Sequence, residues 1–129
     1  MDFWIAATDA GAMTENRTPA ETMTAYFDAW RRQDAESLRD VLSDNVVFDG
    51  PMGHVEGVDD NVKALHGLLG IVIAVDVKHV FVDGPEVCTV YDLHTIETDA
   101  PLLTVNWAHV ADGRARTIRA VFDPRPLVG

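Results

Sequence analysis

The sequence predicts an α+β fold, in which helices come first and an antiparallel sheet follows. Apolar residues recur with helical spacing in the amino-terminal half, whereas from Ile71 onward they alternate with a period of two. The turn sequences Asp83-Gly84 and Asp112-Gly113 separate successive runs, so the strands are expected to pair as an antiparallel meander. We therefore expect helices packed on one face of a curved sheet.

The first predicted helix has the clearest signal. Residues 18–21 (Thr-Pro-Ala-Glu) have the spacing of a capping box, with proline at the first helical position. Apolar residues then follow at positions i, i+3, i+4 and i+7, namely Met23, Tyr26, Phe27 and Trp30. This spacing predicts an amphipathic helix.

Two shorter helices and five strands complete the predicted order. Asp34 can cap a second helix, and Asp59 or Asp60 can begin a third that ends at Gly70. A short strand is expected between them at residues 46–48. The strands of the meander are expected at residues 72–82, 86–97, 102–111 and 114–123.

Composition limits the classes of partner. The chain has 129 residues, of which 47% are hydrophobic, and this suits one domain with a single core. Its 10 basic and 21 acidic residues give a formal net charge of −11, which would repel the phosphates of nucleic acid and anionic lipid surfaces. We therefore expect neither nucleic acid nor a membrane as a partner.

The chain is predicted to consist of an extension, residues 1–17, and one domain, residues 18–129. The apolar run at residues 3–7 is too short for a signal peptide, and no stretch approaches the roughly 20 apolar residues that span a membrane. The single cysteine, Cys88, excludes an internal disulfide and fits a reducing compartment. These features predict a cytoplasmic protein. Phe3 and Trp4 could pack on the domain, on a partner chain or over a pocket.

Two polar side chains in the second strand of the meander suggest a functional site. The alternation of a strand places Asp92 and His94 on one face together with Val90, and that face is otherwise apolar. Burying a carboxylate and an imidazole is costly unless they are paired or hydrogen-bonded, or line a cavity. We interpret this face as the lining of a cavity, and a satisfied polar network within the core is the alternative.

The third strand of the meander is apolar on both faces. One face should meet the helices, but the other needs cover that one small domain cannot easily supply. We expect this outer face to comprise Val87, Tyr91, Leu93, Leu103, Val105 and Trp107. The sequence therefore predicts a homodimer formed between sheets, and cover by the amino-terminal extension is the alternative.

The order of these segments resembles a known superfamily. The run Gln-Asp-Ala-Glu-Ser-Leu at residues 33–38, the run Ser-Asp-Asn-Val-Val-Phe-Asp-Gly-Pro-Met-Gly at residues 43–53 and the meander that ends at Phe122 are similar to the nuclear transport factor 2-like, or SnoaL-like, superfamily. The resemblance covers roughly residues 20–124. It implies a cone-shaped, cystatin-like α+β barrel. Such barrels include ketosteroid isomerases, polyketide cyclases, epoxide hydrolases, dehydratases and non-catalytic binding modules.

The resemblance implies roles for individual residues. Tyr26 falls where ketosteroid isomerases keep the phenol that donates a hydrogen bond to the substrate oxyanion, but Gly50 replaces their base and Asn106 replaces their second donor. His94 followed by Thr95 resembles the His-Thr pair of SnoaL-like cyclases, whose catalytic aspartate also falls on Asn106. An amide can donate a hydrogen bond to an enolate oxygen, but it cannot accept a proton at neutral pH.

The residues thus predict a site that differs from the catalytic sites of these families. Asp92 and His94 would move protons, while Tyr26 and Asn106 would stabilise an oxyanion. The expected substrate-binding residues are Trp30, Phe48, His54, Val90, Ile118, Ala120 and Phe122. Neither a dinucleotide fingerprint nor a phosphate-binding loop nor a short metal-ligand motif is present, so we expect no cofactor and no metal.

These features together predict a cofactor-independent acid/base enzyme of the isomerase, cyclase or dehydratase type. Its expected substrate is an apolar, carbonyl-bearing small molecule, such as a polyketide or terpenoid intermediate, bound in the cone. One alternative is a non-catalytic module for small-molecule binding or dimeric assembly. A second alternative is activity like that of an epoxide hydrolase, although Ala120 replaces the last-strand carboxylate of that family.

Overall fold

The computed structural model describes residues 16–128, and it has the α+β architecture that the sequence predicts. Its helices are α1 (Pro19–Arg31), a 3₁₀ helix (Ala35–Asp40), α2 (Val58–Leu69) and α3 (Arg125–Val128). Its strands are β1 (Leu42–Gly50), β2 (Gly53–Glu56), β3 (Val72–Asp83), β4 (Glu86–Thr95), β5 (Leu102–Ala111) and β6 (Arg114–Val121). Phe3 and Trp4 lie outside the described residues.

Helix α1 begins with the predicted capping box. The backbone N–H of Glu21 donates to Thr18 Oγ1 at 3.1 Å, and the backbone N–H of Thr18 donates to Glu21 Oε1 at 2.8 Å. These bonds satisfy two N–H groups near the start of the helix. The predicted apolar face is buried, and it includes Met23, Tyr26, Phe27 and Trp30.

The two other predicted helices are also present. Asp34 caps the second, which is a six-residue 3₁₀ helix. Helix α2 begins at Val58, one residue before Asp59. Gly57 occupies its N-cap position, and no side chain caps this end of the helix. It ends just before Gly70, as predicted.

The six strands form one curved, unclosed sheet in the order β2-β1-β6-β5-β4-β3. Neighbouring strands are antiparallel, except that β1 runs parallel to β6. The predicted meander is confirmed, with every boundary within two residues of its expected position. Strand β1 is longer than predicted and β2 was not predicted, because the four residues of β2 include the polar His54 and Glu56 and lack an apolar alternation.

Strand β4 has the opposite phase to the one predicted. Its buried residues are Val87, Thr89, Tyr91, Leu93 and Thr95, which face the helices. Asp92, His94 and Val90 therefore lie on the outer face, and the prediction that they face the cone is wrong. The same shift places Val87, Tyr91 and Leu93 inside, so the prediction that these three contribute to the outer face is also wrong.

A physical reason for this phase is the relative cost of burying the two faces. The ring of Tyr91 packs 5.0 Å from the ring of Phe27 and 6.3 Å from that of Trp30, between centroids. Burying this phenol among aromatic rings is favourable, whereas burying Asp92 would remove a charge from water. On the outer face Asp92 keeps partial solvation and lies 3.7 Å from the ammonium group of Lys78.

Strand β5 has the predicted phase. Its inner face is fully buried and comprises Leu102, Thr104, Asn106, Ala108 and Val110. The inner faces of β4 and β5 together with the helices thus enclose the space in which a ligand could lie. Within residues 16–128, no helix combines the length and the apolar character needed to cross a membrane.

Candidate ligand-binding site

A cavity of about 430 Å³ lies between the helices and the inner face of the sheet. This volume falls within the range of small-molecule sites. Its lining is mostly apolar and consists of Trp30, Phe48, Gly50, Met52, Gly53, Val55, Ala64, Leu68, Ile71, Tyr91, Leu93, Glu97, Leu102, Thr104, Asn106, Ala120, Phe122 and Leu127. Exposed lining residues mark the mouth, namely Met52, Gly53, Ala64 and Glu97.

The floor of the cavity is formed by the inner faces of the sheet strands. Tyr91 on β4 pairs with Thr104 on β5, and Asn106 follows Thr104 on the same face. Asn106 in turn pairs with Ala120 on β6. Close packing restricts the wall near β1, because a Cβ atom on Gly50 would lie only 3.1 Å from Cε1 of Phe48. A side chain at Gly50 would therefore require the ring of Phe48 to shift.

Asn106 is the unusual polar residue of this floor. It is 1% exposed, and its Oδ1 has no hydrogen-bond partner among the described residues. The hydroxyl of the neighbouring Thr104, by contrast, donates to the carbonyl oxygen of Leu102 at 3.1 Å. A buried polar atom left unpaired costs about 1–3 kcal/mol. Asn106 thus places a side-chain amide in the cavity lining, where its Nδ2 can donate a hydrogen bond to a ligand.

Tyr91 supplies a second polar group beside the cavity. Burial raises the pKa of its phenol, and the nearby phenol of Tyr26 raises it further. The phenol of Tyr91 is therefore neutral at physiological pH and can donate a hydrogen bond, but it cannot act as a base there.

Tyr26 lies in the aromatic core and is not among the cavity-lining residues, so its predicted place in the site is wrong. Its ring centroid lies 5.9 Å from that of Trp30. Burial raises the pKa of Tyr26 to about 12, and the approach of the Trp30 indole N–H opposes this rise. That approach falls short of full hydrogen-bond geometry, since Trp30 Nε1 has no hydrogen-bond partner among the described residues.

The structure brings together only part of the predicted site. Trp30, Phe48, Asn106, Ala120 and Phe122 line the cavity. The other predicted residues lie elsewhere: Ile118 in the core, Asp92, His94 and Val90 on the outer face, and His54 on the exposed β1–β2 hairpin.

The cavity also contains polar residues that the sequence reasoning missed. Tyr91 would have been found by choosing the phase of β4 in which Tyr91 and Leu93 face the helices. Thr104 shares the correctly predicted inner face of β5 with Asn106 but was not named as a site residue. Glu97 lies in the turn after β4, where no periodicity indicates which way a side chain faces.

His54 instead forms a charged cluster outside the cavity. Its Nδ1 lies 2.5 Å from Asp49 Oδ1, and its Nε2 lies 2.7 Å from Glu56 Oε2. Hydrogen bonds to Asp49 and then to Glu56 raise the pKa of His54 above its usual value of 6.5. Among residues 16–128, no group of three acidic, histidine or cysteine side chains is arranged to hold a metal ion.

The curved, unclosed sheet around N-terminal helices defines an NTF2-like fold. The sequence profile of the SnoaL-like domain matches residues 23–122, and the chain therefore belongs to the SnoaL-like family. No curated protein sequence gives a significant match.

Solved structures confirm this fold. An NTF2-like protein of unknown function from Cytophaga hutchinsonii is 24% identical, with a TM-score of 0.78 over 87% of this chain and 96% of that one. A steroid delta-isomerase from Pseudomonas aeruginosa is 19% identical, with a TM-score of 0.70 over 82% and 80% of the two chains. A candidate polyketide cyclase from Sinorhizobium meliloti is 16% identical, with a TM-score of 0.71 over 77% and 92%.

The hairpin cluster predicts a measurable pH dependence. Because the pKa of His54 is raised in the folded state, its stabilising contribution is fully present below its unfolded pKa and is lost as the pH rises through the folded pKa. In an NMR titration of the His54 imidazole, Asp49→Asn should lower its pKa. Asp44→Asn removes an exposed carboxylate of the same strand and should leave the pKa of His54 unchanged. An equal effect of both variants would contradict this assignment.

Proposed function

We propose that this protein binds a small apolar molecule that carries a carbonyl oxygen, with that oxygen placed at Asn106. The observation that carries the proposal is the buried amide of Asn106 in a mostly apolar cavity lining, because its Nδ2 can donate a hydrogen bond to a ligand carbonyl oxygen, whereas its unpaired Oδ1 can only accept one. Tyr91 and Asn106 are diagonal neighbours across β4 and β5, a separation of roughly 7–8 Å that long side chains can span. Both can donate a hydrogen bond to one oxygen.

Binding without chemistry is the function that this geometry supports best. Asp92 and His94, which would have moved protons, face away from the cavity. Among the lining residues, the titratable groups are Tyr91, which stays neutral, and Glu97 at the mouth. Within the part of the chain that the structure describes, the interior therefore offers hydrogen-bond donors but no buried base.

Acid/base catalysis is the second candidate function, favoured by Glu97 at the edge of the same cavity. Glu97 would abstract a proton next to the ligand carbonyl, while Tyr91 and Asn106 would stabilise the resulting oxyanion. The reaction would be an isomerisation, cyclisation or dehydration of a polyketide- or terpenoid-like molecule, in keeping with the isomerase and the candidate cyclase that share the fold. An epoxide hydrolase has less support, since Ala120 lines the wall where that family has a carboxylate.

The binding proposal predicts opposite effects of Asn106→Leu on affinity and stability. The affinity for 2-nonanone, measured by calorimetry, should fall about two- to tenfold, which is the value of one hydrogen bond. The free energy of unfolding should rise, because leucine removes an unsatisfied buried amide while keeping a similar size. Asn45→Leu, which removes an exposed amide on β1, should leave the affinity unchanged. Equal affinities of wild type and Asn106→Leu, or no binding of 2-nonanone to the wild type, would overturn the proposal.

Isotope exchange distinguishes binding from catalysis. If the protein is an acid/base catalyst, it should accelerate exchange of the protons next to the carbonyl of 2-nonanone in D₂O, as followed by NMR. Glu97→Gln should then reduce the exchange rate by about 10²–10⁴-fold, the usual contribution of such a group. Asp99→Asn, in the same loop but outside the cavity, serves as the control. Exchange no faster than in buffer would exclude catalysis on this ketone and leave the binding function.

We also propose that two copies associate through the outer face of the sheet. This face presents apolar side chains of four strands: Phe81, Val90, Leu103, Val105, Trp107 and Val121. Trp107 is 46% exposed, yet its indole N–H donates to Glu86 Oε1 at 2.7 Å, and the guanidinium of Arg119 lies 5.4 Å from its ring centroid. An oriented tryptophan beside an arginine is typical of the centre of an interface.

Light scattering can test this assembly. The wild type should have about twice the 14.2 kDa mass of one chain, and Trp107→Glu should shift the equilibrium toward monomer, because an unpaired charge at an interface centre is strongly unfavourable. Met52→Glu introduces the same charge at the cavity mouth, on a residue that is 57% exposed, and should leave the mass unchanged. A monomeric wild type at micromolar concentration would contradict the proposal.

A further inference from the structure

We infer that the ligand of this cavity carries a protonated amine at the end that lies in the mouth, where it pairs with the carboxylate of Glu97. This inference rests on the proposed binding function and adds the charge of the ligand to it. The ligand would thus be an apolar amine, with its neutral polar end at Asn106.

The described lining of the cavity carries a negative charge and no positive charge. Among the described residues that line it, Glu97 is the only charged one, and none of them is lysine, arginine or histidine. Within residues 16–128, no basic side chain lies within salt-bridge distance of the Glu97 carboxylate. The mouth therefore has one carboxylate without a cation, next to an apolar interior.

The turn that carries Glu97 is tied to the rim of the cavity. The backbone N–H of Glu97 donates to Thr95 Oγ1 at 3.2 Å, and this hydroxyl also lies 3.0 Å from Thr98 Oγ1. The backbone N–H of Ile96 donates to the carbonyl oxygen of Ile71 at 2.9 Å, and Ile71 is itself a lining residue. These bonds hold the turn, and with it the backbone of Glu97, beside the cavity.

Two acidic residues near the mouth are already paired. On the β1–β2 hairpin, which contributes Met52 and Gly53 to the rim, the carboxylates of Asp49 and Glu56 both contact His54. Glu97 is the carboxylate that both lines the cavity and lies free of these contacts. The net charge of −11 further favours the approach of a cation and disfavours that of a carboxylate or phosphate.

Three probes with the same chain and different head groups test the inference. At low salt we expect the wild type to bind octylamine about fivefold more tightly than 1-octanol, and 1-octanol more tightly than octanoate, as measured by calorimetry. Added salt should reduce these differences, because the carboxylate is exposed. In Glu97→Gln, octylamine and 1-octanol should bind within about twofold of each other, whereas Asp99→Asn, which removes a charge from the same loop, should keep the wild-type order.

The outcomes separate this inference from the proposed function. Binding of 1-octanol without a preference for octylamine, or a preference that persists in Glu97→Gln, would overturn the inference and leave the binding function standing. Failure of 1-octanol and octylamine to bind a wild type that does bind 2-nonanone would overturn the inference alone. Failure of all three to bind the wild type would overturn both.

Discussion

The packing of Tyr91 against the aromatic face of α1 determines what the two faces of the sheet can do. Its ring lies 5.0 Å from Phe27 and 6.3 Å from Trp30. Because side chains of a strand alternate with a period of two, this contact fixes the direction of all the remaining side chains on β4. It places Leu93 and Thr95 inside with Tyr91, and it places the charged Asp92 outside.

The two faces of the sheet thus have different roles in our interpretation. The inner face combines a mostly apolar cavity with a buried amide at Asn106, whose Oδ1 has no hydrogen-bond partner among the described residues. Such a group reduces stability unless something binds it, and local violations of this kind are typical of functional sites. The outer face holds Trp107 between Glu86 and Arg119, so its apolar surface has an ordered centre suited to self-association.

The sequence was sufficient to predict the fold but only part of the site. The capping box at Thr18 and the apolar spacing after it predicted α1, and the Asp-Gly turns predicted the meander. The phase of β4 could not be chosen, because both of its faces mix apolar and polar residues and the deciding contact with Phe27 is distant in sequence. Glu97 gave no signal because a turn has no periodicity, yet it is the charged residue of the cavity.

The most direct test of the ligand site is an NMR titration that observes both faces of β4 and β5 at once. On addition of 2-nonanone, the side-chain amide of Asn106 should shift in a saturable manner, together with the ring resonances of Trp30 and Tyr91. The imidazole of His94 on the outer face should not shift. Saturable shifts at His94 and Asp92, with an unchanged Asn106 amide, would contradict the account and place the ligand on the opposite side of the sheet.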